Sequence, residues 1–431
     1  MDNIVSLCKR RGFIFPGSDI YGGFAGTWDF GPLGIMLKKN LMDTWWHYWV
    51  ESRDDIFGVD AAILMNPATW EASGHTATFA DPLVECKACH GRFRADKLIP
   101  GANESITTEE FKAKNPKCPT CGKIDWSDIR KFNMMFKTHV GPVEDDSSVA
   151  YLRPETAQGI FTNYKNIVDT LYPSLPFGLA QQGKAFRNEI SPRDFILRDR
   201  ECSQMEIEYF VQPENWEQEF DTLLKQTDEF LTKVIGLDSA KIRHEEVAPE
   251  DRAHYSKRTV DFMFTYPNGE EELMGLAYRT DFDLKNIERA SGKSMEYRDK
   301  ITGETLTPHV IEPSIGVERL FLAVLTNAWD EEKGVLRLPA NLAPYKFCVS
   351  PLLKNKPELV KKAKEVYDLL KAKYTFVTWD DSGNIGNRYK KQDEIGTHKC
   401  IVIDFDTLED GTVTVRDRDT AEQVRIKPEE L

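Results

Sequence analysis

Apolar positions recur at helical spacing early in the chain. Leu37, Leu41, Trp45 and Trp49 stand four apart and predict one face of a helix. Lys38 and Lys39 lie off that stripe. Four side chains of this size make a face wide enough to pack on the chain's own sheet or to meet another subunit. From Phe132 to about Phe210 the pattern changes. The β-like runs FNMMFKTHV, LPFGLAQQG, KAFRNEI and QMEIEYFV follow one another with few helical stretches between, which favours an antiparallel sheet over a doubly wound one. Residues 214–235 read as helix, VDFMFTY and EELMGLAYRTDF as strands, and GVERLFLAVLTNAW as a helix after Pro313. Near LPANLAPYK the pattern turns to strand–helix–strand alternation, which predicts a small α/β unit with a mixed sheet.

Between residues 82 and 130 apolar periodicity fades and Pro, Gly, Cys and Lys become frequent, as in an insertion with its own small fold. It holds two CxxC knuckles, Cys86–Cys89 and Cys118–Cys121, separated by 28 residues. Each knuckle sets two thiolates on one tight turn. Two such turns complete a closed tetrahedral site that suits structural Zn²⁺ and leaves no open position for catalysis.

Composition narrows the class. Acidic residues outnumber basic ones 70 to 56, which argues mildly against non-specific nucleic-acid binding but permits a local basic patch. Residues 341–390 carry a net +5 and residues 391–431 a net −5, so the first half is where a polyanion would bind. No apolar run reaches the roughly 18 residues that a membrane span needs. Eight cysteines without a secretion signal point to a reducing compartment.

The segment FRNEISPRDFILRDRECSQMEIEYF concentrates the chemistry. On a strand, Arg187 and Glu189 would share a face; Arg193, Arg198 and Arg200 follow in the loop, and Gln204, Glu206 and Glu208 return together. Arginines over carboxylates fit a nucleotide whose phosphates meet the guanidinium forks. No Walker-type or G-x-G-x-x-G loop is present.

Together with GTWDFGPLG, LRPETAQGIF, EELMGLAYRTDFDL and EPSIGVERLFLAVL, this segment resembles the three motifs of a class II aminoacyl-tRNA synthetase. In detail the chain is similar to the homodimeric glycyl-tRNA synthetases, from about residue 3 to the C-terminus. The resemblance implies an α+β fold: an antiparallel sheet flanked by helices over 1–338, a zinc-ribbon-like insert at 82–130, and a mixed α/β anticodon-binding domain at 339–431. It implies a cytoplasmic glycine–tRNA ligase acting on ATP with Mg²⁺, glycine and tRNA(Gly), with no membrane partner. Arg187 would meet the α-phosphate, Glu189 the adenine amine, and Arg319 would lie over adenine and reach the γ-phosphate. Asn188, Leu197, Arg198, Arg200, Leu273 and Gly316 would complete the ATP site, with Glu272 beside the triphosphate and its Mg²⁺.

Glycine has no side chain to grip, so its charged ends must be read. The resemblance assigns Glu155, Glu206 and Glu312 to the ammonium group, with Gln204 nearby, Ser314 beside the α-carbon and Arg94 at the carboxylate or the tRNA end. Lys354, Lys356, Lys361, Lys364 and Arg388 would face the anticodon arm. Two departures stand out. Cys202 replaces a phenylalanine that stacks on the base, and Glu318 precedes Arg319 where relatives carry aspartate or glycine. An RNA-binding module that has lost catalysis, or a relative charging another amino acid, are the competing readings. The intact Arg187, Glu189 and Arg319 weigh against the first, and the three glutamates against the second.

Overall fold

The computed structural model describes residues 1–431. Its centre is a seven-stranded sheet of β1 (Ile56–Gly58), β2 (Phe177–Phe186), β3 (Glu201–Val211), β4 (Ile242–Glu246), β5 (Arg258–Tyr266), β6 (Gly269–Thr280) and β7 (His309–Gly316). The order is β4-β5-β6-β7-β3-β2-β1, antiparallel throughout except for the parallel pair β1 and β2.

Side-chain alternation divides the sheet into an apolar and a polar face. Met205, Ile315 and Met274 lie in one cross-strand row and belong to the main core. One residue along, the row Gln181–Glu206–Ser314–Gly275–Asp261 crosses five strands on the other face. Two helices, α1 (Pro32–Trp46) and α2 (Val317–Ala328), cover the apolar face. Leu37, Leu41, Trp45 and Trp49 are all buried in this core. The stripe therefore packs within the chain, which corrects the subunit-interface reading. Helix α1 also approaches its own N-terminal segment closely: a Cβ at Gly34 would lie 1.9 Å from the Phe13 carbonyl oxygen. Lys38, off the stripe, is buried too and bonds Glu318 of α2 at 2.6 Å and Ser203 of β3 at 2.9 Å. Glu318 in turn accepts from the Ser203 amide at 2.7 Å. The glutamate that departs from the family pattern thus ties two helices and a strand together.

The insert forms a three-stranded sheet from Ala80–Glu85, Arg92–Arg94 and Arg130–Asn133, over a small core that includes Val84, Phe111 and Trp126. Near the C-terminus, strands Val377–Trp379, Phe347–Pro351 and Lys399–Ile403 run parallel, and Val413–Asp417 and Gln423–Ile426 add antiparallel. Helices Pro357–Lys373 and Ile385–Ile395 pack beside this mixed sheet, and Glu394 of the second reaches Arg10 and Arg11 of the N-terminal helix. Arg388 is buried, donating to the carbonyls of Pro351, Ser382, Asp381 and Gly383. A guanidinium so fully engaged is not available to an RNA phosphate, which corrects its assignment to the anticodon-facing set. No helix is long and apolar enough to cross a membrane.

Candidate active site and metal centre

A cavity of about 390 Å³ opens on the polar face of the sheet. Glu155 enters from the segment before helix Ala157–Leu171, Gln204 and Glu206 from β3, Glu272 and Leu273 from β6, and Glu312, Ser314 and Gly316 from β7. Arg187, Glu189, Leu197 and Arg198 come from the connection between β2 and β3, Cys202 from the start of β3, and Arg319 from the first turn of α2.

Arg187 and Glu189 converge for a different reason from the one expected. Strand β2 ends at Phe186, and the Glu189 amide donates to the Arg187 carbonyl at 2.7 Å, a tight turn in place of strand alternation. Arg187 Nε donates to the Pro154 carbonyl at 3.0 Å, which leaves its two terminal amino groups for an anion. Glu189 is buried, 3.6 Å from Arg198.

Three expected residues lie elsewhere. Arg94 is spent on Asp81, Asp96 and Glu104, each at 2.7–2.9 Å, and does not line the cavity. Arg200 donates to the carbonyls of Ala25 and Glu189, so it shapes the hairpin instead of facing the cavity. The Asn188 amide bonds the Met134 carbonyl at 2.7 Å, and its side chain is outside the lining.

The carboxylate cluster is anchored member by member. Glu206 accepts from the Thr156 amide and hydroxyl, from Ser314 Oγ at 2.7 Å and from Gln204 Nε2 at 3.1 Å. Glu312 is bonded by Arg279 at 2.8 Å, which is itself paired with Asp283. Glu155 faces His75 Nε2 at 3.3 Å. Burial pushes Glu312 up to about 8 against the pull of Arg279, with Glu206 and Glu155 adding to the rise. Burial and the Glu155 charge also raise Glu206. Glu155 goes the other way: burial opposes its charge, but His75, Arg279 and Arg187 hold it below the usual carboxylate range. Beneath them Glu208 is fully buried, has no hydrogen-bond partner, and is raised by burial and by Glu312. Carboxylates this dense and dry call for a cation.

Sequence reasoning did not single out His75, Thr156, Arg279 or Asp283. Only the i, i+4 spacing of Arg279 and Asp283 carried a local signal.

In the insert, Cys86 Sγ lies 3.6 Å from Cys121 Sγ, and Cys89 Sγ 3.6 Å from Cys118 Sγ. All four sulfurs fall within 4.8 Å of one another. Zinc bonds of about 2.3 Å at tetrahedral angles need sulfurs about 3.8 Å apart, so the donor set fits that ion. His90 and Gly122, which follow the second cysteine of each knuckle, adopt left-handed backbone with φ of 58° and 72°.

The sheet, the arginine-lined cavity and its carboxylate floor define a class II aminoacyl-tRNA synthetase core. Residues 136–328 match the family model "tRNA synthetase class II core domain (G, H, P, S and T)", and residues 346–431 match "Anticodon binding domain". The structure is similar to a Giardia lamblia prolyl-tRNA synthetase solved with prolyl-adenylate, with a TM-score of 0.69 at 15% identity, over 100% of this chain and 75% of that one. At that identity the likeness concerns the fold. The chain is 47% identical to a glycine–tRNA ligase of Ureaplasma parvum serovar 3, over 100% of its own length and 94% of the relative's. It is 48% identical to those of Alkaliphilus oremlandii and Clostridium tetani, over 100% of its length and 96% of theirs. The chain belongs to the glycine–tRNA ligase family.

Proposed function

We propose that the cavity activates glycine with ATP and that the chain transfers the glycyl group to the 3′ end of tRNA(Gly). The observation that carries this reading is the position of Glu155, Glu206 and Glu312 in one cavity with Arg187 and Arg319. The carboxylates suit an ammonium group, and Ser314 Oγ, bonded to Glu206, closes the space beside it. A glycine carboxylate oxygen attacks the α-phosphorus of ATP, and the bond to the pyrophosphate oxygen breaks. Arg187 meets the charge that builds on the phosphoryl oxygens, and Arg319 meets the departing pyrophosphate. The terminal ribose hydroxyl of the tRNA then attacks the glycyl carbonyl and AMP leaves. ATP enters as its Mg²⁺ complex, with Glu272 at the phosphate end.

We assign residues 1–338 to catalysis, with the zinc-holding insert at 82–130, and residues 339–431 to the anticodon arm. The working unit is a homodimer. Ile20, Tyr21 and Phe24, exposed by 88%, 86% and 63%, support an apolar meeting surface on the glycine-rich N-terminal segment. Eight cysteines, four of them gathered at the metal site and none in a disulfide, support a reducing, cytoplasmic setting.

Glycine-dependent ATP–pyrophosphate exchange tests the reading. Exchange is expected with glycine and not with alanine, proline or threonine. Exchange driven by one of those instead, or none at all with glycine, would overturn it.

A further inference from the structure

Each of the three glutamates assigned to the ammonium group has its own anchor, and only one anchor comes from outside the segments that resemble the family motifs. Arg279 holds Glu312, and Thr156 and Ser314 hold Glu206. Glu155 is held by His75, from the segment SGHTAT that precedes the insert. The opposite Glu155 oxygen has only Gln158 Nε2, at 3.4 Å.

His75 is fixed on every side. Its ring is buried, edge-on to Trp70 with centroids 5.5 Å apart and against Phe79 at 5.4 Å. Nδ1 lies 2.8 Å from Ser73 Oγ, which also lies 3.3 Å from the Trp70 carbonyl. Nε2 faces the Glu155 carboxylate, where a bare lone pair would meet an anion, so Nε2 carries a hydrogen. In the neutral ring Nδ1 then accepts from Ser73 Oγ, and that contact fixes the orientation of the ring. The backbone is pinned as well: Asn133 Nδ2 donates to the carbonyls of His75 and Thr76 at 3.0 and 3.1 Å.

We propose that His75 is a positioning residue for glycine recognition: its Nε2–H, oriented by Ser73, fixes the Glu155 carboxylate for the substrate ammonium group. The inference rests on the function proposed above. It goes further by placing a determinant of glycine affinity outside the cavity lining, on the segment that leads into the insert. An anchored carboxylate presents one geometry to the ammonium. A loose one would turn toward Arg279 and Arg187, the other cations acting on it. The effect should therefore fall on glycine and leave the nucleotide alone.

The test is ATP–pyrophosphate exchange with His75→Phe, which keeps a ring between Trp70 and Phe79 but has no donor, and His75→Gln, whose amide nitrogen can take the place of Nε2. His75→Phe should raise the KM for glycine by about tenfold, the scale of one hydrogen bond to a charged group. The KM for ATP and kcat should stay within about twofold, and His75→Gln should recover most of the loss. An unchanged glycine KM in His75→Phe would overturn the proposal. So would a parallel rise in both KM values, which marks a structural role, or a glutamine variant as impaired as phenylalanine. If His75→Phe does not fold, Ser73→Ala decides: a several-fold rise in glycine KM supports the proposal, and no change refutes it. Wild-type protein without glycine-dependent exchange would sink the proposed function itself, whereas an unchanged variant in an active background sinks only this inference.

Discussion

Arg319 is held twice by Glu272: its Nη1 lies 3.1 Å from the carboxylate and donates to the carbonyl oxygen of the same residue at 2.8 Å. The pairing is reciprocal. The Glu272 charge raises Arg319 against the cost of burial, and the Arg319 charge keeps Glu272 below the usual carboxylate range. An arginine on the first turn of α2 is thereby tethered to β6, an inner strand of the sheet. The tether presents its guanidinium to the cavity, at the end that the proposed function gives to the nucleotide. Preset donors stabilise developing charge without reorganising during the reaction.

Two substitutions separate the charge from its tether. Arg319→Ala removes the donor and should lower kcat for exchange by about 10²–10³. Glu272→Gln keeps the carbonyl contact but loses the ion pair, so its main effect should be a several-fold rise in the KM for ATP with the glycine KM unchanged. Initial rates at saturating glycine measure both. An Arg319→Ala protein of near-wild-type rate would remove Arg319 from the mechanism.

The four cysteines predict a metal and a remote consequence of losing it. Purified protein should contain about one zinc per chain. Cys89→Ser should lose most of it and destabilise the insert. The exit of the insert is joined to the cavity at two points: Asn133 holds the His75 backbone, and Met134 accepts from the Asn188 amide beside Arg187. Metal loss should therefore reduce kcat/KM for glycine, although no cysteine lines the cavity. Metal analysis of the wild type and Cys89→Ser checks the site, and full zinc in the mutant would refute it.

What could be read from the sequence was what short spacing encodes. The CxxC knuckles, the alternation of Gln204, Glu206 and Glu208 on β3, and the helix opening at Val317 depend on neighbours a few residues away. The arginines were harder, because an arginine's task depends on which acceptors meet it. Arg187 and Arg319 keep donors facing the cavity. Arg94 is paired with three carboxylates, whereas Arg200 and Arg388 spend their donors on two and four carbonyls. Nothing in the residues beside them separates the two groups. His75 was missed for the same reason: its partner lies 80 positions along the chain, and a lone histidine carries no periodicity. The apolar stripe of α1 gave a face but not its partner, and the chain's own sheet and α2 supply it.

Glycine binding should tighten as pH rises toward 8. In the empty site burial keeps Glu312 protonated up to about 8. An ammonium group favours the ionised carboxylate, so glycine binds with release of a proton, and low pH opposes it. The KM for glycine should fall between about pH 6.5 and 8, before the substrate's own ammonium begins to deprotonate. The sign for folding is opposite. A carboxyl raised from an unfolded value of about 4.3 retains a proton that the unfolded chain has lost, so its contribution to stability declines as pH rises through that window to about 8. Glycine KM and Tm measured over the same pH series check both, and a glycine KM that rises with pH would contradict the assignment of Glu312 to the ammonium.

Cys202 is half-buried at the cavity wall that the proposed function gives to adenine, with Sγ 3.7 Å from the Ala185 carbonyl, and burial pushes the thiol up to about 12, so it stays neutral. Its lining neighbours Ile196 and Leu197 are aliphatic. Phe195 is turned away, edge-on to Trp28 at 4.8 Å. Tyr255, the one aromatic side chain in the lining, lies 3.7 Å from the Arg279 guanidinium, at the carboxylate end. No ring is therefore placed for a base to stack on from this side. Stacking on an aromatic ring is worth about 1–3 kcal/mol per base in single-stranded complexes, and a thiol offers a smaller surface. Cys202→Phe should lower the KM for ATP by about tenfold, equivalent to about 1.4 kcal/mol. If Ile196 and Leu197 already fill the space, the added ring will clash and the KM for ATP will hold or rise. Exchange kinetics at saturating glycine, on the two proteins side by side, decide it.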